Sequence, residues 1–260
     1  MIGTMHPEFR RPPAPGVHRW AFTLTEMLVV IAVLAILAGL LLPALSNSKG
    51  EARRVQCLGN LGQMAIAAHV YVDDNADFYP IAYYDAVANG VNCFYCWDLT
   101  TILSNPNTVI PGLLWQGRTI LQIQQCPSFT GSADWLTDPY TGYNYNTSYI
   151  GHGQDESIPD PAKSSDVRRS AKTVLFGDGQ YSAGADKFMR APWPNPGDAD
   201  FSGRWSGTQG FRHQKLSNAA FCDGHTESLS ACYTNNADGA NNVAPCTGFL
   251  SSDNSMYDLR

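Results

Sequence analysis

The residues of this 260-residue chain with most scope for chemistry are its cysteines and a few histidines. Cys57, Cys93, Cys96, Cys126, Cys222, Cys232 and Cys246 are seven, so at least one lies outside any intrachain pair. Cys93-Phe94-Tyr95-Cys96 has the spacing of a redox pair or of half a zinc site. No second CxxC accompanies it and no thioredoxin-like βαβ pattern surrounds it, so the expectation is a structural disulfide. His213, Asp223 and His225 offer two imidazoles and a carboxylate, a donor set for zinc or another transition metal. A turn needs Asp223, and His213 can hydrogen-bond across a hairpin. We therefore assign no metal, keep His213, Asp223, His225 and Asp238 only as candidates, and set aside a metallohydrolase reading. Asn236, Asp238 and Asn242 near Gly239 could offer oxygens to calcium, but the spacing fails the full loop signature and reads as a polar loop. No nucleophile with its base, no spaced carboxylate pair and no phosphate loop stands out. Gly177-Asp178-Gly179 and Gly151-His152-Gly153 are too short to mean more than turns. No cofactor and no enzymatic activity are expected.

The elements that must position these residues begin with an apolar run. Met27 to Leu42 carries no polar side chain, and with Phe22, Leu24, Ala44 and Leu45 it approaches the roughly 20 residues that span a bilayer, over about 24–45. Arg10, Arg11 and Arg19 precede it and the acidic excess follows it, which orients the N-terminus to the cytoplasm and the rest outside, where cysteines can oxidise. A formal net charge of -6 argues against broad binding to nucleic acid. A removable secretory signal is disfavoured because no A-x-A site follows Leu42 and the helical pattern continues. A plain anchor does not explain Glu26 at the start of the run, since a carboxylate at that depth needs a partner.

Ala21-Phe22-Thr23-Leu24-Thr25-Glu26 and the apolar run after it resemble the prepilin cleavage and methylation signal. The resemblance implies a cut between Ala21 and Phe22 by prepilin peptidase, with Glu26 fifth in the mature chain and Pro43 at the place where pilins carry a helix-loosening proline. The match departs at Ala21, where the family has Gly. The new amine of Phe22 would be the natural partner for Glu26 of a neighbouring subunit, and Pro43 with Gly39 marks a weak point in the helix. Cys57-Leu58-Gly59-Asn60-Leu61, Tyr79-Pro80, Cys126-Pro127-Ser128, Tyr143-Asn144-Tyr145-Asn146, Phe176-Gly177-Asp178 and the H-x9-DG pattern of His213, Asp223 and Gly224 resemble the large prepilin-like families of planctomycete and verrucomicrobial bacteria.

Beyond the membrane segment, Ala52, Val55, Leu58, Leu61, Ala65, Ala68 and Val72 recur at helical spacing, predicting an amphipathic continuation that stops near Asp73-Asp74-Asn75. From Phe22 the helix would be on the order of 80 Å long. After Pro80 the chain is rich in Gly, Pro, Asn and aromatics, which reads as a loop-rich antiparallel β head. Strands are expected at 173–176 and 218–222, the latter joined by a tight Asp223-Gly224 turn to 225–229. Cys57 on the helix and Cys126 on a segment crossing it are expected to form a disulfide, closing a loop of about 70 residues and contributing on the order of 4 kcal/mol.

The expected fold is therefore α+β and pilin-like: a leader over 1–21, a long helix over 22–75, and a head over 76–260. The expected function is a structural subunit of a type IV pilus-like or type II secretion pseudopilus filament. Its partners would be other copies of itself, prepilin peptidase, an inner-membrane assembly platform and, before assembly, membrane lipid. It would begin as a single-pass cytoplasmic membrane protein with its head in the periplasm and end in a cell-surface filament. The alternative is a membrane-anchored module whose aromatic head, drawing on six Trp and twelve Tyr, binds a glycan or protein.

Overall fold

The computed structural model describes residues 23–117, 123–133, 138, 142–158, 160–182, 184–198 and 203–260. Ala21, Phe22 and the leader lie outside them. Helix α1 runs from Leu24 to Asp74 and continues through Pro43. Its first turn is closed reciprocally: Thr23 Oγ1 accepts from the Glu26 backbone N–H at 3.2 Å, and the Glu26 carboxylate accepts from the Thr23 N–H at 2.8 Å. This is a capping box. It gives Glu26 a local partner in addition to the intersubunit amine that the sequence suggests.

Two compact units divide at Ser46/Asn47, inside α1. The physical reason lies in which helix side chains are covered. In the first unit every described side chain, Thr23 to Ser46, is exposed. In the second, Cys57, Asn60, Leu61, Met64, Ala65, Ala68 and Val72 are buried, a stripe at spacings of three and four. Ala52 and Val55, expected on that stripe, are exposed, and Leu58 is half-buried. The stripe enters a core with Tyr79, Trp97, Tyr145 and Phe176. The last three rings meet with centroids 5.2–5.5 Å apart.

The head holds three sheets. β1 (Tyr83–Ala88), β2 (Val91–Cys96), β3 (Leu99–Ile102) and β4 (Thr108–Pro111) form an antiparallel meander. Its first turn is Asn89-Gly90, with φ of +52° and +79°, a two-residue turn of the type that matches strand twist. The larger sheet contains β5 (Asn144–Asn146), β6 (Val174–Gly177), β7 (Phe188–Met189), β9 (Ser217–Phe221) and β10 (Thr226–Leu229), in the order β10-β9-β6-β5-β7. Its β5–β7 pair is parallel, so the sheet is mixed and not wholly antiparallel: about forty residues separate the two strands, enough for a crossover. β8 (Gln209–Gly210) pairs with β11 (Thr247–Gly248). The fold is α+β. Several buried charges among the described residues are paired. Arg190 donates to Glu156 at 3.0 Å and to Asp198 at 2.6 Å, Arg204 donates to Asp198 at 2.6 Å, and Lys187 lies 2.7 Å from Asp138 and 3.1 Å from Asp98.

The β9–β10 hairpin differs from its expected form. Phe221 N–H donates to His225 O, and Gly224 N–H donates to Phe221 O, both at 2.9 Å, so the loop has three residues, Cys222 to Gly224. Gly224 takes φ +91° to close it. A Cβ there would meet nothing closer than 3.6 Å, so the constraint is conformational and not steric crowding. Gly224→Val is expected to destabilise the protein by more than about 1 kcal/mol, with Gly224→Asn milder because Asn tolerates that region; urea unfolding of the two variants checks the order.

Candidate functional site

Four buried side chains from four separate segments meet beside the helix: Cys57, Cys126, Asp178 and His213. α1 supplies Cys57 from its covered stripe, fully buried. Cys126 lies in a turn where Phe129 N–H donates to its carbonyl at 3.1 Å. Gly142 (φ +106°) packs over this turn, and a Cβ there would lie 2.8 Å from the Cβ atoms of Cys126 and Phe129, so only glycine fits. Asp178 directly follows β6, and its Oδ2 accepts from Asn218 N–H on β9 at 2.7 Å. His213 opens a tight turn closed by mutual backbone bonds with Leu216, 3.1 and 3.0 Å long. The two central residues, Gln214 and Lys215, take φ of +55° and +68° without being glycine. Such conformations persist where the surroundings over-determine them.

The contacts within the cluster are close. Cys57 Sγ lies 3.1 Å from Asp178 Oδ1, Cys126 Sγ lies 3.9 Å from Cys57 Sγ and 3.7 Å from Asp178 Oδ1, and His213 Nε2 lies 3.5 Å from Cys126 Sγ. His213 Nε2 is also 3.4 Å from Asp178 Oδ2. Arg212 borders the group, donating from Nε to Cys126 Sγ at 3.3 Å, from a terminal nitrogen to Asp178 Oδ1 at 3.0 Å, and to the Gly142 carbonyl. His213 Nδ1 has no hydrogen-bond partner among the described residues.

Electrostatics separate the two thiols. Burial, the Cys126 sulfur and the Asp178 charge push Cys57 well above the usual thiol range. Burial also acts to raise Cys126, but the hydrogen bond from Cys57, the Arg212 guanidinium and His213 outweigh it and bring that thiol down to about 5. Asp178 is held below the usual carboxylate range because Arg212 and His213 overcome its burial. His213 is lifted to about 9, its burial outweighed by hydrogen bonds to Asp178 and Cys126. Cys126 is therefore the more acidic of the two thiols and sits beside a histidine whose proton affinity is raised, a pairing also found at nucleophiles. Its complete burial denies access to a substrate carbon. Only something small can engage these atoms: a proton, a metal ion or the neighbouring sulfur.

The expected sites fall out as follows. Cys57 and Cys126 meet but are not bonded to each other. Cys93 and Cys96 lie three apart on β2, where successive side chains alternate faces, so the strand directs them to opposite sides. His213 is in the buried cluster, whereas Asp223 and His225 pair with each other at the partly exposed hairpin tip. The His225 ring stacks on Phe221 with centroids 4.4 Å apart. Asp238 accepts from the Arg204 backbone N–H. The metal candidates drawn from the sequence therefore do not converge. Asn236 Oδ1 accepts from Asp238 N–H at 2.9 Å and the Asn242 amide donates to Asp238 O at 2.8 Å, so this loop uses its own polar groups. The sequence reading missed Asp178 as a site residue, and it missed His152, whose Nδ1 lies 3.0 Å from Glu156 in the buried charge network. The one available signal for Asp178 was that each of four short matched segments, around Cys57, Cys126, Asp178 and His213, holds a residue able to ligate or to pair.

No protein-family model, no curated protein and no solved structure matches the chain.

Asp178→Ala would strip Arg212 of its carboxylate in a buried setting. Removing one partner of such a pair costs about 3–5 kcal/mol, so a large fall in the urea midpoint is expected, while Asp223→Ala at the exposed hairpin tip should cost about 1 kcal/mol or less. Equal midpoints for the two variants would contradict this ranking.

Proposed function

We propose that the chain is a structural subunit of a type IV pilus-like or type II secretion pseudopilus filament, made as a prepilin and held in the cytoplasmic membrane until it polymerises. One observation carries the reading. α1 is 51 residues long, and its first part, from Leu24 to Leu45, is exposed among the described residues and presents a surface that from Met27 to Leu42 carries no polar side chain. Leaving that surface in water would forfeit roughly 25 cal/mol per Å². Lipid covers it in a membrane, and identical helices cover it in a filament core. The helix can serve both states because, apart from its ends and the break in the ladder at Pro43, its backbone groups bond within the helix.

Supporting this, the second part of α1 leaves a few apolar side chains exposed after the head has taken the inner stripe. Ile66 is 62% exposed and Val70 37%, and both border an apolar groove lined also by Ala67, Leu114, Trp115 and Ile123. The leader, the cut before Phe22 and the pairing of Glu26 with a neighbour's amine complete the proposal. A second reading, a membrane-anchored binding module, draws on Tyr84 and Tyr95, whose rings stack on the meander with centroids 4.7 Å apart. Half-exposed stacked rings suit a sugar or peptide.

Mass spectrometry of the chain from its native host is expected to show a mature N-terminus at Phe22; an intact Met1 on assembled subunits would sink the proposed cut, and retention of an uncut chain in the membrane would favour the anchored module. Glu26→Ala is expected to leave membrane insertion unchanged and to reduce fibre yield severely. A normal yield would mean that the Thr23 capping contact is the whole role of Glu26.

A further inference from the structure

We propose that Cys57, Cys126, Asp178 and His213 bind one zinc ion, which fastens the second part of α1 to the head. The separations themselves carry the argument. A tetrahedral zinc with roughly 2.3 Å to sulfur and roughly 2.0–2.1 Å to nitrogen or oxygen has edges of about 3.8 Å between two sulfurs, about 3.5 Å between sulfur and a lighter donor, and about 3.3 Å between nitrogen and oxygen. The cluster has 3.9 Å between sulfurs, 3.5 Å from Cys126 sulfur to His213 nitrogen, 3.1 and 3.7 Å from the sulfurs to Asp178 Oδ1, and 3.4 Å from His213 Nε2 to Asp178 Oδ2. All ligand atoms lie within 4.8 Å of one another. The sulfur–sulfur and sulfur–nitrogen separations match the edges of a metal-sized tetrahedron, and Asp178 comes within reach of its fourth corner through one oxygen facing the thiols and the other facing His213.

Donor chemistry selects the ion. Two thiolates with an imidazole and a carboxylate favour zinc over magnesium or calcium, which prefer oxygen and higher coordination. Four protein donors fill a tetrahedron and leave no open position for water, so the site is structural and not catalytic. Charge also balances: two thiolates and a carboxylate offset a divalent ion together with the Arg212 guanidinium, which already donates to Cys126 and Asp178. On binding, any protons on the two thiols and on His213 are released, and four metal–ligand bonds form without a redox step. The surroundings hold the donors in place, with Asp178 Oδ2 fixed by Asn218 N–H and His213 set in its tight turn. Cys57 is 69 positions from Cys126, which is 87 from His213, so the ion would cross-link distant segments. The inference does not depend on whether the chain forms filaments.

Full-length chain in detergent micelles, purified under reducing conditions and treated with a chelator, provides the test by titration with Co2+. Expected are thiolate-to-cobalt charge-transfer and tetrahedral d–d bands that saturate at one Co2+ per chain and vanish on adding Zn2+. His213→Gln should weaken Co2+ binding beyond the about 10–100-fold that changes outside the ligand shell cost, while Cys93→Ser leaves the titration unchanged. Should His213→Gln fail to fold, thermal melts of the unmutated chain keep the test sharp: Zn2+ must raise the midpoint and chelator lower it. A folded, reduced chain showing neither bands nor a Zn2+-dependent midpoint would overturn the proposal. So would native protein that contains a Cys57–Cys126 disulfide and no zinc.

Discussion

Burial of one stripe of α1, from Cys57 to Val72, is the contact on which the rest of the head is arranged. Leu61 and Met64 are both fully covered, and each such side chain contributes about 1.5–3 kcal/mol when removed from water. Ala65 and Ala68 are fully covered on the same stripe. Because Cys57 and Asn60 ride on the same stripe, burying it carries two polar groups inside, and the head must supply them with partners. Asn60 donates to the Tyr143 hydroxyl at 3.1 Å and to the Gln125 carbonyl at 3.3 Å, which draws in the chain on either side of the cluster. Cys57 meets Asp178 and Cys126.

That requirement explains why so much charge is buried in a head with few long strands. Short strands and long connections leave backbone and side-chain groups that a regular ladder would have paired. Arg204, wholly buried, donates to the carbonyls of Ala191 and Trp193 as well as to Asp198, taking the place of strand pairing. Asn146 does the same work from its amide, donating to the Val174 and Tyr257 carbonyls at 2.8 and 2.9 Å. Such networks hold only when every member is satisfied, so the irregular head is stabilised by specific pairings more than by area alone.

The long helix was legible because its apolar run and its three- and four-residue spacing are local signals. The exact face was less so: Ala52 and Val55 fit the same spacing as Leu61 and Ala65, and only the position of the head decides that Cys57 and Met64 are inside. Val174–Gly177 and the β9–β10 hairpin announced themselves by β-branched and aromatic runs around Asp223-Gly224. The meander did not, because Tyr83–Ala88 is mostly exposed and lacks clean alternation, although Asn89-Gly90 is a strong two-residue turn signal. For the site, Cys57, Cys126 and His213 were each singled out, but their meeting with Asp178 depends on tertiary folding across separations such as 121 residues from Cys57 and 52 from Cys126 that no local pattern encodes. His213 was assigned to the hairpin because Asp223 is near in sequence, whereas the turn at Gln214-Lys215 directs it elsewhere.

The two parts of α1 pose opposite demands, one met by burial within the head and one that the filament account assigns to lipid and to other copies of the chain. The filament account claims that both coverings are used in turn. Electron cryomicroscopy of fibres sheared from cells making the native chain tests this most directly. The account predicts a helical filament whose core is packed Leu24–Leu45 helices from successive copies, with the heads outside. Fibres that lack the chain, with all of it retained in the membrane fraction as single copies, would contradict it.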